Sequence, residues 1–195
     1  DTDVVISELM YQPATELDSE EFLEITNTGT AGVDISGWCF GGITFCFPAA
    51  TTIPAGARWV VSPDPARALA TYGATTAGTY TGSLKNSGEA ITLKNAGGTT
   101  VDTVSYLDVA PWPVTPDGLG PSLELIDPTA DNNLPRNWAA ATNNPGHTAG
   151  TANSVAGAIG PELVDLAAAP ARPAANEAVT VTAHASGATT VTVYY

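Results

Sequence analysis

The sequence predicts an all-β fold in which two layers of strands pack as a sandwich. Segments of alternating apolar and polar residues recur roughly every ten residues, with turn-forming residues between them. Gly contributes 19 and Pro 15 of the 195 residues, which is typical of short strands joined by tight turns. Only one segment has a helical pattern, which argues against a parallel α/β sheet.

Two strands are predicted near the start of the chain. "DVVISELMY" (3–11) and "EFLEITN" (21–27) alternate in polarity and are separated by an acidic loop. In the second strand, Phe22 and Glu24 should share one face and Leu23 the other, because successive side chains of a strand point to opposite faces.

The chain's two cysteines lie in a predicted hairpin, "SGWCFGGITFCFP" (36–48). If the chain reverses at Gly42 and Ile43, Cys39 stands directly opposite Cys46. The other face of the hairpin is then aromatic and consists of Trp38, Phe40, Phe45 and Phe47.

Directly opposed cysteines are within disulfide distance, so we favour a disulfide between Cys39 and Cys46. Two free thiols and a metal site are the alternatives. Structural zinc usually takes four nitrogen or sulfur ligands, and only His147 and His184 remain to complete the set.

A strand at 59–61 leads into the single predicted helix. Its sequence is "DPARALATYG", with Asp64 as N-cap, Pro65 at the first helical position and Gly73 as terminator. These end signals predict a short helix between two strands.

The rest of the first 155 residues is predicted to contain a second hairpin and long connections. "AITLKN" (90–95) and "TTVDTVSY" (99–106) form the hairpin, and a proline-rich crossing loop leads to a strand in "SLELIDP" (122–128). Residues 129–154 lack periodicity, so we expect an irregular segment across the surface of the sheets.

Composition changes after Ser154, which predicts a domain boundary. We assign 1–155 to the sandwich, 156–160 to a linker and 161–195 to a partial β module. We expect this module to be truncated, because it is too short for a complete sandwich. Its unfinished sheet edge is a candidate surface for self-association. The strand-like runs of this module are 163–166, 178–185 and 189–195.

The charge of the chain excludes several classes of partner. Asp and Glu number 20 against 6 for Lys and Arg, a net charge of −14. Binding to nucleic-acid phosphates or to an anionic membrane surface requires clustered cations, and the sequence shows none. We therefore expect neither nucleic acid nor membrane as a partner.

Two oxygen-rich loops are the candidate metal sites, and calcium is the candidate ion. The alternative, which we favour, is a solvated acidic loop and a set of turn residues, because neither loop has the ligand pattern of an EF-hand. We expect no other cofactor. The first loop carries Glu16, Asp18, Glu20 and Glu21, and the second carries Asp127 and Asp131, followed by Asn132 and Asn133.

No catalytic residue is expected. His147 lies in a loop without a neighbouring nucleophile motif, and His184 lies in a predicted strand. No phosphate-binding or dinucleotide-binding motif is present.

Several motifs in order along residues 1–155 resemble the lamin tail domain in its bacterial form. The resemblance implies an immunoglobulin-like β-sandwich. The family's usual Thr-Pro-Gly is replaced by "TAG" at 148–150, and the cysteine pair is not a family hallmark. The motifs are "ISELMYQP", "EEFLEITNTGTAGVDISGWCF", "FPAATTIPAGARWVVSPD", "LKNSGEAITLKNAGGTTVDTVSY", "APWP", "DGLGPSLELIDP" and "RNWAAATNNPG".

The predicted strands indicate where two of the tryptophans lie, and the resemblance implies where the other two lie. Trp38 and Trp59 fall in predicted strands and should be core residues. Trp112 and Trp138 should pack the last loop onto the sandwich, and the alternative is that they are exposed to grip a glycan or a peptide.

In bacteria, such domains occur in secreted or surface proteins beside other modules. The resemblance therefore implies a non-catalytic extracellular module that binds a protein or cell-surface ligand or acts as a spacer. One alternative is an accessory domain that positions a neighbouring nuclease, phosphatase or spore-coat-type kinase. The other is a calcium-dependent hydrolase.

Two further expectations concern structure outside the sandwich. Residues 161–195 resemble the start of a second immunoglobulin-like or fibronectin-type module. Although the family includes the tails of intermediate filament proteins, the sequence has no heptad repeat, so we expect no filament rod.

Overall fold

The computed structural model describes residues 3–157, 162–170, 175 and 178–186. The chain divides into two compact units, Asp1–Ala158 and Ile159–Tyr195. Strands dominate both units, so the all-β prediction is confirmed. No helix in the described ranges is long and apolar enough to cross a membrane.

The first unit contains eleven of the described strands and one α-helix. In chain order the strands are β1 (Val4–Met10), β2 (Phe22–Asn27), β3 (Val33–Asp34), β4 (Cys39–Gly41), β5 (Thr52–Ile53), β6 (Arg58–Ser62), β7 (Thr76–Thr79), β8 (Gly88–Lys94), β9 (Thr100–Leu107), β10 (Leu123–Leu125) and β11 (Trp138–Ala140). The helix α1 is Pro65–Tyr72, and two short 3-10 helices are Asp18–Glu20 and Pro135–Asn137.

These strands form a large sheet, a small sheet and a two-stranded pair. The large sheet has the order β11-β10-β1-β2-β6-β7, the small sheet has the order β4-β8-β9, and β3 pairs with β5. All pairs are antiparallel except β6 with β7. One apolar cluster joins buried residues of both sheets, including Ile25 of β2 and Val104 of β9. The two sheets therefore share the core of an immunoglobulin-like sandwich.

A β-bulge in β1 changes which residues face this core. Val4 and Ile6 belong to the core cluster, but after the register shift between Ile6 and Glu8 the core residues are Leu9 and Tyr11. The extra residue reverses the alternation of side chains. As a result, Glu8 lies on the outer face of the large sheet, next to a second, smaller apolar cluster formed by Met10, Phe22, Val60, Ala74 and Ala149.

The predicted hairpins and helix are confirmed. Cys39 and Cys46 are bridge partners and form a disulfide, with their Cα atoms 4.0 Å apart. Asp64 caps α1 by accepting a hydrogen bond from the Arg67 amide at 3.0 Å, and Gly73 ends the helix in the left-handed region with φ +68°. Strands β8 and β9 pair along their length as the second hairpin.

The structure differs from the predictions at three places. The predicted hairpin 36–48 does not begin as a strand at Ser36, because a turn separates β3 from β4, with the Trp38 amide donating a hydrogen bond to the Ile35 carbonyl at 3.0 Å. Strand β7 was not predicted, because its residues are small and weakly patterned. The segment 129–154 is not wholly irregular, since β11 pairs there with β10.

In the second unit, β12 (Glu162–Ala169) and β13 (Thr180–Ser186) form an antiparallel pair. They correspond to the first two predicted runs of this unit. The third run, 189–195, lies outside the described residues, and membership of a second immunoglobulin-like or fibronectin-type module stays a prediction.

Candidate functional site

The first candidate calcium loop does not present its four carboxylates together. Glu16 and Asp18 are exposed, whereas Glu20 and Glu21 are buried. Glu20 forms an ion pair with Arg67 of α1. The Glu21 carboxylate accepts hydrogen bonds from the Tyr80 hydroxyl at 3.0 Å and the Leu84 amide at 2.8 Å, and its burial raises its pKa to about 7.

The second candidate loop uses its aspartates for turns. Asp127 accepts hydrogen bonds from the Thr129 amide at 2.8 Å and hydroxyl at 2.7 Å, and these bonds lower the pKa of Asp127. Asp131 accepts a hydrogen bond from the Asn133 amide at 2.9 Å. This is the Asx-turn role of such residues.

Across the described residues, no group of three or more His, Cys, Asp or Glu side chains is arranged to hold a metal ion. The residues best placed to meet a cation from solvent are the exposed Glu16, Asp18, Asp127 and Asp131. Calcium binding at either loop stays a prediction.

The structure instead assembles a row of buried glutamates that the sequence pattern did not predict. Glu8 of β1 pairs with Glu24 of β2 on one side and with Glu124 of β10 on the other. All three are 0 % exposed. We call Glu8, Glu24 and Glu124 the glutamate row.

The segment 141–157, which we call the closing loop, covers the glutamate row. Each carboxyl group accepts a hydrogen bond from one backbone amide of the loop. Thr148 donates to Glu8 at 2.9 Å, Gly150 to Glu24 at 2.8 Å and Val155 to Glu124 at 3.2 Å. The loop therefore contacts the sheet through backbone hydrogen bonds at three points.

Hydroxyl groups donate further hydrogen bonds to the same three carboxyls. Ser122 donates to Glu8 Oε1 at 2.6 Å, Ser7 to Glu24 Oε1 at 2.7 Å and Ser154 to Glu124 Oε2 at 2.7 Å. The Thr148 hydroxyl lies between two carboxyls, 3.0 Å from Glu8 Oε2 and 2.8 Å from Glu124 Oε1.

Few cations neutralise the row. The nearest is Arg58 of β6, whose Nε lies 3.9 Å from Glu24 Oε1. Burial, followed by repulsion from Glu24, raises the pKa of Glu8, and burial likewise raises the pKa of Glu24. His147 of the closing loop adds no charge at neutral pH, because burial lowers its pKa.

This arrangement suits a structural role better than an active site. A general acid or base must come within hydrogen-bond reach of a substrate, but these carboxylates are sealed beneath the closing loop. Their hydrogen bonds connect the closing loop to β1, β2 and β10. The chemistry that the row provides is attachment of the loop to the sheet.

A sequence signal for the row existed. Each of the three strands carries a glutamate between apolar residues, in "SELM", "FLEIT" and "SLELI". An outward-facing glutamate in a strand is normally a solvated residue. Only the closing loop, more than a hundred residues along the chain from β1, buries Glu8.

The tryptophans pack as the resemblance implied. Trp112 and Trp138 are buried, with ring centroids 6.2 Å apart, and the Trp138 indole donates to the Asn132 carbonyl at 2.6 Å. Trp38 is buried and Trp59 packs against the core. None of the four is presented as an exposed gripping residue.

Exposed apolar side chains concentrate at the end of β9 and in the loop that follows it. Leu107, Val109, Val114 and Leu119 are between 43 % and 72 % exposed. Leu119 also lines a shallow groove of about 340 Å³, whose walls are formed by 119–121 and residues 141 and 143–146. This groove is open at the surface, so it fits contact with a macromolecule better than enclosure of a small substrate.

Comparison with known proteins agrees with this architecture. The family model described as Lamin Tail Domain matches residues 1–108, which is more than half of the chain. A search of curated proteins gives no match. The immunoglobulin-like sandwich and the matched segment together lead to one conclusion: the chain belongs to the lamin tail domain family.

Proposed function

We propose that the chain is a non-catalytic binding or spacer module of a larger secreted or cell-surface protein. The main support for the proposal is that the buried carboxylates form hydrogen bonds within the fold. No two of them are therefore accessible to a substrate as an acid and a base. The family supports the same conclusion, since the lamin tail domain is a non-catalytic immunoglobulin-like family.

Two properties support this proposal, one for the location and one for the class of partner. The Cys39–Cys46 disulfide is the kind of bond that persists in oxidising compartments. The net charge of −14 favours solubility and disfavours contact with nucleic acids or anionic membranes. The partner in this proposal is a protein or a cell-surface ligand that meets loops rather than a deep pocket.

Binding is tested with the full chain immobilised and probed with a glycan array and a panel of purified extracellular proteins. If the groove beside Leu119 is the contact surface, Leu119→Asp abolishes binding. Leu69→Asp is the matched control, because Leu69 is also an exposed leucine (56 %) but lies on α1. No binding to either set favours the spacer role.

Catalysis is tested on the same protein with chromogenic phosphate monoesters, phosphodiesters and glycosides. Turnover above the blank would overturn the non-catalytic assignment.

Calcium is tested by calorimetry and by melting in CaCl2 and in EDTA. A saturable heat together with a raised Tm would revive the calcium-dependent alternative, and Asp131→Ala and Asp18→Ala would identify the loop responsible.

A further inference from the structure

The hydrogen bonds of Thr148 fix the position of a proton in the glutamate row. Thr148 Oγ1 is 3.0 Å from Glu8 Oε2 and 2.8 Å from Glu124 Oε1, and both distances are those of hydrogen bonds. A hydroxyl carries one hydrogen and can donate to only one of these oxygens. The second bond requires a proton on the other carboxyl, which then donates to Thr148 Oγ1.

The surroundings favour Glu8 as the protonated member. Glu8 lies between Glu24 and Glu124, so its negative charge would be flanked by like charges on both sides. Burial and Glu24 raise the pKa of Glu8 accordingly. The chain of donors then runs from the Glu8 carboxyl to the Thr148 hydroxyl and on to the Glu124 carboxylate.

None of the charged and titratable groups facing Glu8 provides a positive charge that could take the place of this proton. Glu24 on β2 and Glu124 on β10 add negative charge. Arg58 on β6 lies next to Glu24, and His147 of the closing loop is neutral above its lowered pKa. On the α1 side the nearest titratable group is Tyr72, whose ring packs edge-on against His147 at 4.6 Å and whose pKa burial raises.

We propose that the closing loop is a pH-responsive strap, held on the large sheet by one proton that Glu8 and Glu124 share through Thr148, and that loss of this proton releases the loop. Release would also uncover the small apolar cluster, because Ala149 of the loop belongs to it. The strap therefore couples the acidity of the medium to exposure of an apolar sheet face.

The direction of the pH dependence follows from linkage. In the closed form Glu8 keeps its proton above the ordinary glutamate pKa of 4.5, whereas in the open form it is solvated and loses the proton near that value. Between the pKa of Glu8 in the open form and its pKa in the closed form, the closed form binds one more proton at Glu8. The contribution of Glu8 is therefore a rise in the opening constant of about tenfold per pH unit. Acidification closes the strap.

Hydrogen exchange of the full chain tests the proposal. Protection of peptides covering 142–157, corrected for intrinsic exchange rates, should fall about tenfold per pH unit between pH 6 and pH 7. In Glu8→Gln the amide donates to Thr148 at every pH, so this Glu8-dependent slope should disappear. In the control Glu21→Gln the Thr148 bridge is intact, because Glu21 bonds Tyr80 and Leu84 and not the closing loop, so the slope should persist.

Protection in the wild-type protein that does not change with pH, or an unchanged slope in Glu8→Gln, would overturn the proposal. If Glu8→Gln does not fold, carboxyl ¹³C NMR of the wild-type protein decides. A glutamate that titrates above pH 6 together with the Thr148 amide supports the shared proton. Titration of every glutamate near its ordinary pKa rules the shared proton out.

Discussion

At the scale of single residues, Asp102 shows how one side chain can connect two sheets. Asp102 belongs to β9 of the small sheet, and its Oδ2 accepts hydrogen bonds from the Ile6 amide of β1 at 2.6 Å and from the Asn132 side chain at 2.8 Å. Strand β10 pairs with β1 only at Glu8 and Leu9. The Ile6 amide therefore finds its acceptor across the sandwich rather than in a neighbouring strand.

We expect Asp102→Ala to lower the free energy of unfolding by about 1 to 3 kcal/mol, because it leaves a buried amide without an acceptor. Asp131→Ala is the matched control, since Asp131 is exposed and its carboxylate accepts a hydrogen bond from the Asn133 amide of its own turn. Urea denaturation of both variants measures the difference. Equal losses of unfolding free energy in the two variants would show that the link between the sheets does not add to stability.

At the scale of elements, the cysteine hairpin combines a covalent bond on one face with apolar packing on the other. The Cys39–Cys46 bond closes a loop with a sequence separation of 7. On the opposite face Phe40 and Phe47 are buried, with ring centroids 6.0 Å apart. The aromatic face belongs to the core, so the fold does not depend on the disulfide alone.

The double variant Cys39→Ser, Cys46→Ser should fold but lose about 2 to 3 kcal/mol of unfolding free energy, as expected when a loop of this length is no longer closed. Denaturation with and without reductant checks this, because the reduced wild-type protein should match the variant. Two alkylatable thiols in unreduced wild-type protein would contradict the disulfide.

Elements defined by local pattern could be predicted from the sequence. Opposition of Cys39 and Cys46 followed from alternation of side chains, and the ends of α1 followed from Asp64 and Gly73. The bulge after Ile6 could not be predicted in this way, because a bulge inserts a residue without any break in the apolar pattern. Strand β7 lacked such a pattern and forms by parallel pairing with β6.

The glutamate row could not be predicted for a different reason. The alternation in β2 placed Glu24 correctly on the face opposite Leu23, but that face was expected to meet solvent. Its burial depends on Gly150 and the rest of the closing loop, which arrive from distant sequence. Local periodicity predicts on which face of a sheet a residue lies, but it does not predict which other segment covers that face.

At the scale of the whole molecule, several buried glutamates and a large negative charge both lower the stability of the folded state as the pH rises. Burial raises the pKa of Glu21 to about 7 and raises the pKa of Glu8 and Glu24. The folded state therefore binds more protons than the unfolded state above pH 4.5. The chain has a net charge of −14, and its exposed carboxylates add a repulsion that also grows as they ionise.

Because a raised glutamate pKa stabilises the folded state only while the proton stays bound, unfolding free energy should be highest near pH 5 and fall toward pH 8. Each such group contributes a slope of up to about 1.4 kcal/mol per pH unit between its unfolded and folded pKa. Urea denaturation at successive pH values, with and without about 0.5 M NaCl, separates the two causes. Salt screens repulsion between surface charges and leaves burial unchanged, so the fall should persist in salt and become shallower in Glu21→Gln. A fall that vanishes in salt would assign the pH dependence to the surface charge instead.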